Sequence, residues 1–169
     1  HLYSGDVIVK ALHHHRVETM GQVFQMYSRK IADSDLEILD DLIYAPCILQ
    51  KRLQKKSDIR VTVVGERVFA AEIDSPDVGA YWDDWHRCSQ QEITIRAMAN
   101  KLPELLEDQC IRIVKALGLR YGAIDFIRNE IDNSLTFLEV NPTGDWIWIE
   151  RRTNQEITRA VADLIESLI

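Results

Sequence analysis

The run Asp58-Ile59-Arg60-Val61-Thr62-Val63-Val64 constrains this fold more than any other segment. It is rich in β-branched residues, and Gly65-Glu66 follows as a turn before residues 67–74 resume an extended pattern. A chain carrying this hairpin builds an antiparallel sheet around it. A second hairpin is spelled by Gly122-Ala123-Ile124-Asp125-Phe126-Ile127 and Leu135-Thr136-Phe137-Leu138-Glu139-Val140-Asn141-Pro142. Helical segments separate the strands, so the expected class is α+β rather than a doubly wound sheet.

The remaining segments fill in that plan. Val7-Ile8-Val9 reads as a short buried strand ending in Lys10, and residues 17–31 hold further β-compatible stretches. Ser34-Asp35-Leu36-Glu37 has the form of a capping box, opening a helix with Leu36, Leu39 and Ile43 on one face. Pro46 ends it, and residues 47–53 return to a strand. Residues 75–100, with Trp82 and Trp85, lack a sustained period and read as a long loop. Pro103 suits the first turn of a helix carrying Leu106, Cys110, Ile113, Val114 and Leu117, stopped at Gly118. Strands are expected over 121–129 and 135–141. A Thr153…Glu156 capping box opens a last helix that buries Ile157, Val161, Leu164 and Leu168. Trp146 and Trp148 alternate on one strand face, there to pack or to line a groove.

Composition removes several classes of function. At 169 residues, 46% hydrophobic and 28% charged, the chain can bury a core without a disulfide or metal staple. Its three cysteines, Cys47, Cys88 and Cys110, have no zinc spacing and suit a reducing, cytoplasmic compartment. No apolar run is long enough for a membrane span. A net charge of −7 disfavours sequence-independent nucleic-acid binding. The chain opens on His1-Leu2-Tyr3 without an initiator Met and reads as part of a longer protein. Adjacent residues on a strand point to opposite sides, so His13-His14-His15 reads as a solvated loop rather than a metal cluster.

The second hairpin carries the chemistry. If it turns through residues 130–134, Ile124 pairs with Val140 and Phe126 with Leu138, forming one apolar face. The same register sets Asp125 against Glu139, with Asn141 further along on that face. Facing carboxylates repel unless a cation lies between them. Two carboxylates and a carboxamide oxygen are hard ligands suited to Mg²⁺, and Pro142 ends the strand where a ligand can approach. The alternative is a wet strand face with solvated acids. Phosphate would also need fixed positive charge. Lys10 follows an apolar strand, and Arg60 either grips a phosphoryl group with its planar fork or forms a surface pair with Asp58 or Glu72.

Together these segments resemble the ATP-grasp superfamily, and within it the microviridin-type (graspetide) peptide-maturing ligases, relatives of the ribosomal-protein glutamate ligases. The residues carrying the likeness are Lys55-Lys56-Ser57-Asp58-Ile59-Arg60-Val61-Thr62-Val63-Val64-Gly65 with Val68-Phe69-Ala70, then Gly122 to Phe126, then Phe137-Leu138-Glu139-Val140-Asn141-Pro142-Thr143-Gly144-Asp145-Trp146. The resemblance implies an ATP-grasp core of two small α+β subdomains, residues 1–54 (partial) and 55–169, with antiparallel sheets and helices packed on one face. ATP would lie between them, and the N-terminal domain that precedes such a core would be absent from this chain. It further implies Asp125, Glu139 and Asn141 as ligands of Mg²⁺ (or Mn²⁺), and Lys10 on the nucleotide's phosphates. Gln50, Lys51 and Arg52 would lie beside the adenine, and Arg60 near the γ-phosphate and acyl phosphate.

The implied reaction activates a carboxylate of a precursor peptide and closes an intramolecular ester or amide. The implied partners are that peptide and, in the full-length protein, a second copy of the chain. Nucleic acid and membrane are not among them. The alternatives are a ligase adding amino acids to a protein or peptide C-terminus, and a non-catalytic nucleotide- or peptide-binding module. The phosphate loop of such enzymes carries small residues after the lysine, whereas this chain has Leu12-His13-His14-His15-Arg16.

Overall fold

The computed structural model describes residues 7–12, 16–44, 46–76, 83–89, 91–98 and 102–169. His13–His15 and Trp82 lie outside them. Two compact units form, His1–Leu53 with Ser75–Ile93, and Gln54–Asp74 with Thr94–Ile169. Ser75–Ile93 thus joins the first unit, whereas the sequence division assigned all of 55–169 to the second.

The first unit contains β1 (Val7–Ala11), β2 (Arg16–Thr19), β3 (Gln22–Gln25), β4 (Arg29–Lys30) and β5 (Cys47–Lys51). β1 is central in an antiparallel sheet of order β4-β1-β5, and β2 pairs with β3 in a separate two-stranded sheet. The expected helix after Ser34 is a 3₁₀ segment, Asp33–Ile43, and its entry is held by Asp35 rather than by a Ser34 cap. The Asp35 carboxylate accepts from the Ala32 N–H at 2.7 Å and from Arg29 at 2.6 and 2.7 Å. Ile43, expected on a buried face, is 75% exposed.

The second unit contains β6 (Lys55–Val64), β7 (Arg67–Asp74), β8 (Thr94–Ala97), α1 (Glu104–Ala116), β9 (Tyr121–Asn129), β10 (Leu135–Asn141), α2 (Ile147–Thr153) and α3 (Ile157–Glu166). Its antiparallel sheet has the order β10-β9-β6-β7-β8. β6 is central and buried along nearly its whole length, which its Ile and Val content permits. Gly65, at φ +61°, supplies the left-handed residue in the β6–β7 turn. Helices lie against both faces. Cys110 and Val114 of α1 pack with Ile59, Val61, Val63, Ile124 and Phe126. On the face that carries Arg60 and Tyr121, α2 and α3 bury Ile149, Ile157 and Ala160.

Three local expectations are corrected. Residues 94–97 form β8 rather than loop, because β7 offers an unpaired edge on which they complete the sheet. The Trp146–Trp148 run is not a strand: Asp145 Oδ1 accepts the Ile147 N–H at 3.0 Å and the chain turns into α2. Thr153 ends α2 instead of capping α3; its hydroxyl donates to the Ile149 carbonyl at 2.9 Å and Asn154 follows in the left-handed conformation. Consequently α3 starts later and stops at Glu166, leaving Leu168 54% exposed. Among the described residues no helix is long and apolar enough to cross a membrane.

Candidate functional site

β9 and β10 pair with Asp125 opposite Glu139, Ile124 opposite Val140 and Ala123 opposite Asn141. A bulge between Phe137 and Glu139 absorbs Leu138, so Phe126 faces Phe137 rather than Leu138. These two rings meet edge to face, with centroids 5.9 Å apart. The bulge lies beyond the acidic pair and leaves its register intact.

On its other edge β9 pairs with β6, and this sets Arg60 directly opposite Asp125. Arg60 Nε stands 2.6 Å from Asp125 Oδ1, with side chains only 5% and 17% exposed. The pairing partners weighed from sequence are engaged elsewhere. Lys55 Nζ donates to Asp58 at 2.7 Å, while Glu72 accepts from Ser57 at 2.6 Å and Arg128 at 3.1 Å. Asp125 therefore sits between a guanidinium on β6 and a like charge on β10. Glu139 is exposed and has no cationic partner among the described residues.

The loop after β10 closes over Arg60. A Cβ on Gly144 would fall 2.5 Å from Ala123 Cβ and 3.2 Å from Arg60 Nη1, so only glycine fits. The Tyr121 hydroxyl donates to the Gly144 carbonyl. Burial pushes the Tyr121 pKa up to about 12, with Arg60 opposing and Asp145 adding to the rise. Trp146 stacks at a tilt on Tyr121, centroids 5.4 Å apart, and donates to Thr158 at 3.0 Å. Trp148 lies 5.9 Å from the Arg60 guanidinium and donates to the Asp145 carbonyl at 2.9 Å. The two tryptophans thus hold the loop onto the sheet from a helix.

Asp125, Glu139 and Asn141 share one face and offer hard oxygen donors, which fits a small divalent cation. The facing carboxylates are the feature that calls for one. Asn141 Oδ1 accepts from the Thr143 N–H at 3.0 Å and its hydroxyl at 3.3 Å. Among the described residues no three His, Cys, Asp or Glu side chains gather, so the set depends on Asn141 as its third member.

A family model described as the RimK-like ATP-grasp domain matches residues 6–165. The chain belongs to this family. A curated relative, the "Probable alpha-L-glutamate ligase 1" of Shewanella denitrificans, is 27% identical over 141 residues, 82% of this chain and 45% of the relative. Among solved structures, a RiPP-associated ATP-grasp ligase of Chryseobacterium gregarium, in complex with ADP and a leader and core peptide, superposes with a TM-score of 0.83 at 28% identity. It covers 97% of this chain and 49% of that one. The macrocyclase MdnC of Microcystis aeruginosa MRC, bound with precursor peptide MdnA, gives 0.77 at 29% identity, covering 95% and 49%. This ATP-grasp chain spans about half the length of each of the three.

In the first unit of the ATP-grasp chain, Ile8 pairs with Gln50 and Lys10 with Ile48. Alternation then places Lys10 and Gln50 on one face of the small sheet and Lys51 on the other. Arg52, just past β5, donates from Nε to Asp83 at 2.6 Å. Four features of the second unit escaped the sequence reading: the Arg60–Asp125 pair, the Tyr121 hydrogen bond, the fit of Gly144, and Trp148 over Arg60. The Arg60 contacts depend on β6 meeting β9, and the Tyr121 and Gly144 contacts on the loop after β10 folding back onto β9.

Proposed function

We propose that the protein is an ATP-dependent carboxylate ligase that matures a precursor peptide by closing an intramolecular ester or amide. The observation that carries this is the facing Asp125–Glu139 pair, with Asn141 beside it and Arg60 locked against Asp125. A phosphoryl-transfer site needs that combination of hard anionic ligands and fixed positive charge.

In the reaction, a side-chain carboxylate oxygen of the peptide attacks the γ-phosphorus of ATP. The bond to ADP breaks, and an acyl phosphate forms. A hydroxyl or amine of the same peptide then attacks the acyl carbon, phosphate leaves with the carbon–oxygen bond electrons, and the nucleophile gives up its proton. ATP-grasp ligases use ATP and Mg²⁺, and Mg²⁺ held by Asp125, Glu139 and Asn141 would neutralise charge on the transferring phosphoryl group. Arg60 orients Asp125 and sets a guanidinium beside the phosphoryl path. Lys10 meets the nucleotide phosphates, and Gln50 to Arg52 pass the base along their backbone. No covalent enzyme nucleophile is needed.

Support for peptide cyclisation comes from the likeness to the Chryseobacterium and Microcystis enzymes, whose structures hold leader, core or precursor peptide. The names of the curated relatives favour a second reading, addition of glutamate to a chain. Mass spectrometry of a peptide incubated with the full-length protein and Mg·ATP separates them: loss of one water per bond marks cyclisation, and a glutamyl mass gain marks addition. ADP release is expected to vanish in Asp125→Ala and in Glu139→Ala. Normal release in both would overturn the metal assignment.

A further inference from the structure

The first unit holds a cavity of about 560 Å³, within the size range of small-ligand sites. Val9, Ala11, Met26 and Pro46 give it an apolar wall, while Tyr27 and Arg87 form its polar side. The Arg87 guanidinium lies over the Tyr27 ring at 4.7 Å, and its Nε is buried without a hydrogen-bond partner. The position is built rather than incidental. Asp84 accepts the Ser28 N–H at 2.9 Å and the His86 N–H at 3.1 Å, which ties the short turn Trp85–Arg87 to the residue after Tyr27. Asp84 is thereby committed to the backbone and to His86, whose ring Nδ1 lies 2.8 Å from the same Oδ1 that accepts the His86 N–H.

The charge balance of the cavity selects its ligand. Arg29 also lines it but is neutralised by Asp35 at 2.6 Å. Lys10 lines it as well, but it alternates with Val9 and Ala11 along β1, so its ammonium leaves the strand on the face opposite theirs. The Arg87 guanidinium therefore faces an apolar wall with no carboxylate among the described residues that line it. A phosphate dianion would outbalance that single charge, whereas a monoanionic carboxylate on an aliphatic stem matches both its charge and its wall.

We infer that this cavity binds a carboxylate, carried by an acidic peptide side chain or by a free amino acid, through the Arg87 fork stacked on Tyr27. The site is composed of first-unit residues alone and does not rest on the ligase reading.

The test uses the full chain without nucleotide or divalent cation, so that binding at Asp125 and Glu139 does not contribute. The probes are free L-glutamate, a short acetylated and amidated peptide with one central glutamate, and the same peptide with glutamine. Calorimetry gives affinity, and Cys47, which lines the cavity, reports location through its rate of alkylation against that of Cys88. The glutamate peptide is expected to bind, to slow modification of Cys47 and not of Cys88, and to outbind the glutamine peptide by about tenfold or more. Arg87→Gln should weaken binding by a similar factor, with Arg87→Lys between the two. Tight binding of free glutamate would assign the amino acid as the source, and binding of the peptide alone would assign the peptide; either supports the site. Equal binding of the two peptides, or protection of Cys88 without Cys47, would overturn it, and neither comparison requires a variant to fold.

Discussion

Replacing Gly144 by alanine puts a carbon 2.5 Å from Ala123 Cβ and 3.2 Å from Arg60 Nη1. Carbons rest at about 3.5–4.0 Å, so the loop must lift by roughly 1 Å. Arg60 is the far end of a long side chain and can give way, but Ala123 is fixed in β9. Overpacking of this kind costs about 1–3 kcal/mol. Lifting the loop also breaks the Tyr121–Gly144 hydrogen bond, worth about 1 kcal/mol. The expected loss is about 3 kcal/mol, which lowers the melting temperature by roughly 6–12 °C for a chain of this size. Urea unfolding followed by tryptophan fluorescence measures it, since Trp146 and Trp148 sit on the displaced segment. The companion variant Ala123→Gly removes the obstructing carbon at a cost of about 1 kcal/mol. The double variant should then be more stable than Gly144→Ala alone by about 1–2 kcal/mol, a coupling of the kind seen for residues in contact. A Gly144→Ala chain within about 0.5 kcal/mol of the parent, or a double variant showing the plain sum of both losses, would refute the close-approach argument.

Trp148→Leu should lose about 1 kcal/mol of coupling to Arg60 in addition to its hydrogen bond to the Asp145 carbonyl; a double-mutant cycle in urea with Arg60→Met isolates the coupling, and a value near zero would refute it. Burial raises the Glu72 pKa, but Ser57, Arg128 and Arg96 outweigh it and hold the carboxyl below its ordinary 4.5. Its stabilising contribution is complete above that value and disappears as pH falls through the lower folded one, so Glu72→Gln should flatten the stability loss from pH 4.5 downward. Burial, with Glu107 adding, pushes the Cys110 thiol up to about 11. Iodoacetamide at neutral pH is therefore expected to label Cys47 and Cys88 first and to reach Cys110 only after denaturation, as peptide mass mapping would show.

The strands of the acidic hairpin and the Asp125–Glu139 register were legible because period-2 alternation and a polar turn are local signals. So was the β6–β7 hairpin with its Gly65 turn. The same logic misread residues 146–149, where a four-residue alternation does not distinguish a strand from the first turn of α2. It also misread Thr153, whose hydroxyl donates to the Ile149 carbonyl at the end of α2 instead of capping α3. The bulge at Leu138 left no mark in the pattern, since one inserted residue changes register only beyond itself.

By itself, then, the sequence determined the strands of the two hairpins and which acids face one another, because these follow from neighbours a few residues apart. The tertiary structure decided what stands on the other side of Asp125. From sequence Arg60 had only a phosphoryl group, Asp58 or Glu72 to choose from until β6 and β9 paired, and the role of Gly144 emerged only when its loop came down on that pair. Both depend on contacts between segments distant in the chain, whose register is set by burying Ile59, Val61, Val63, Ile124 and Phe126 together beneath α1.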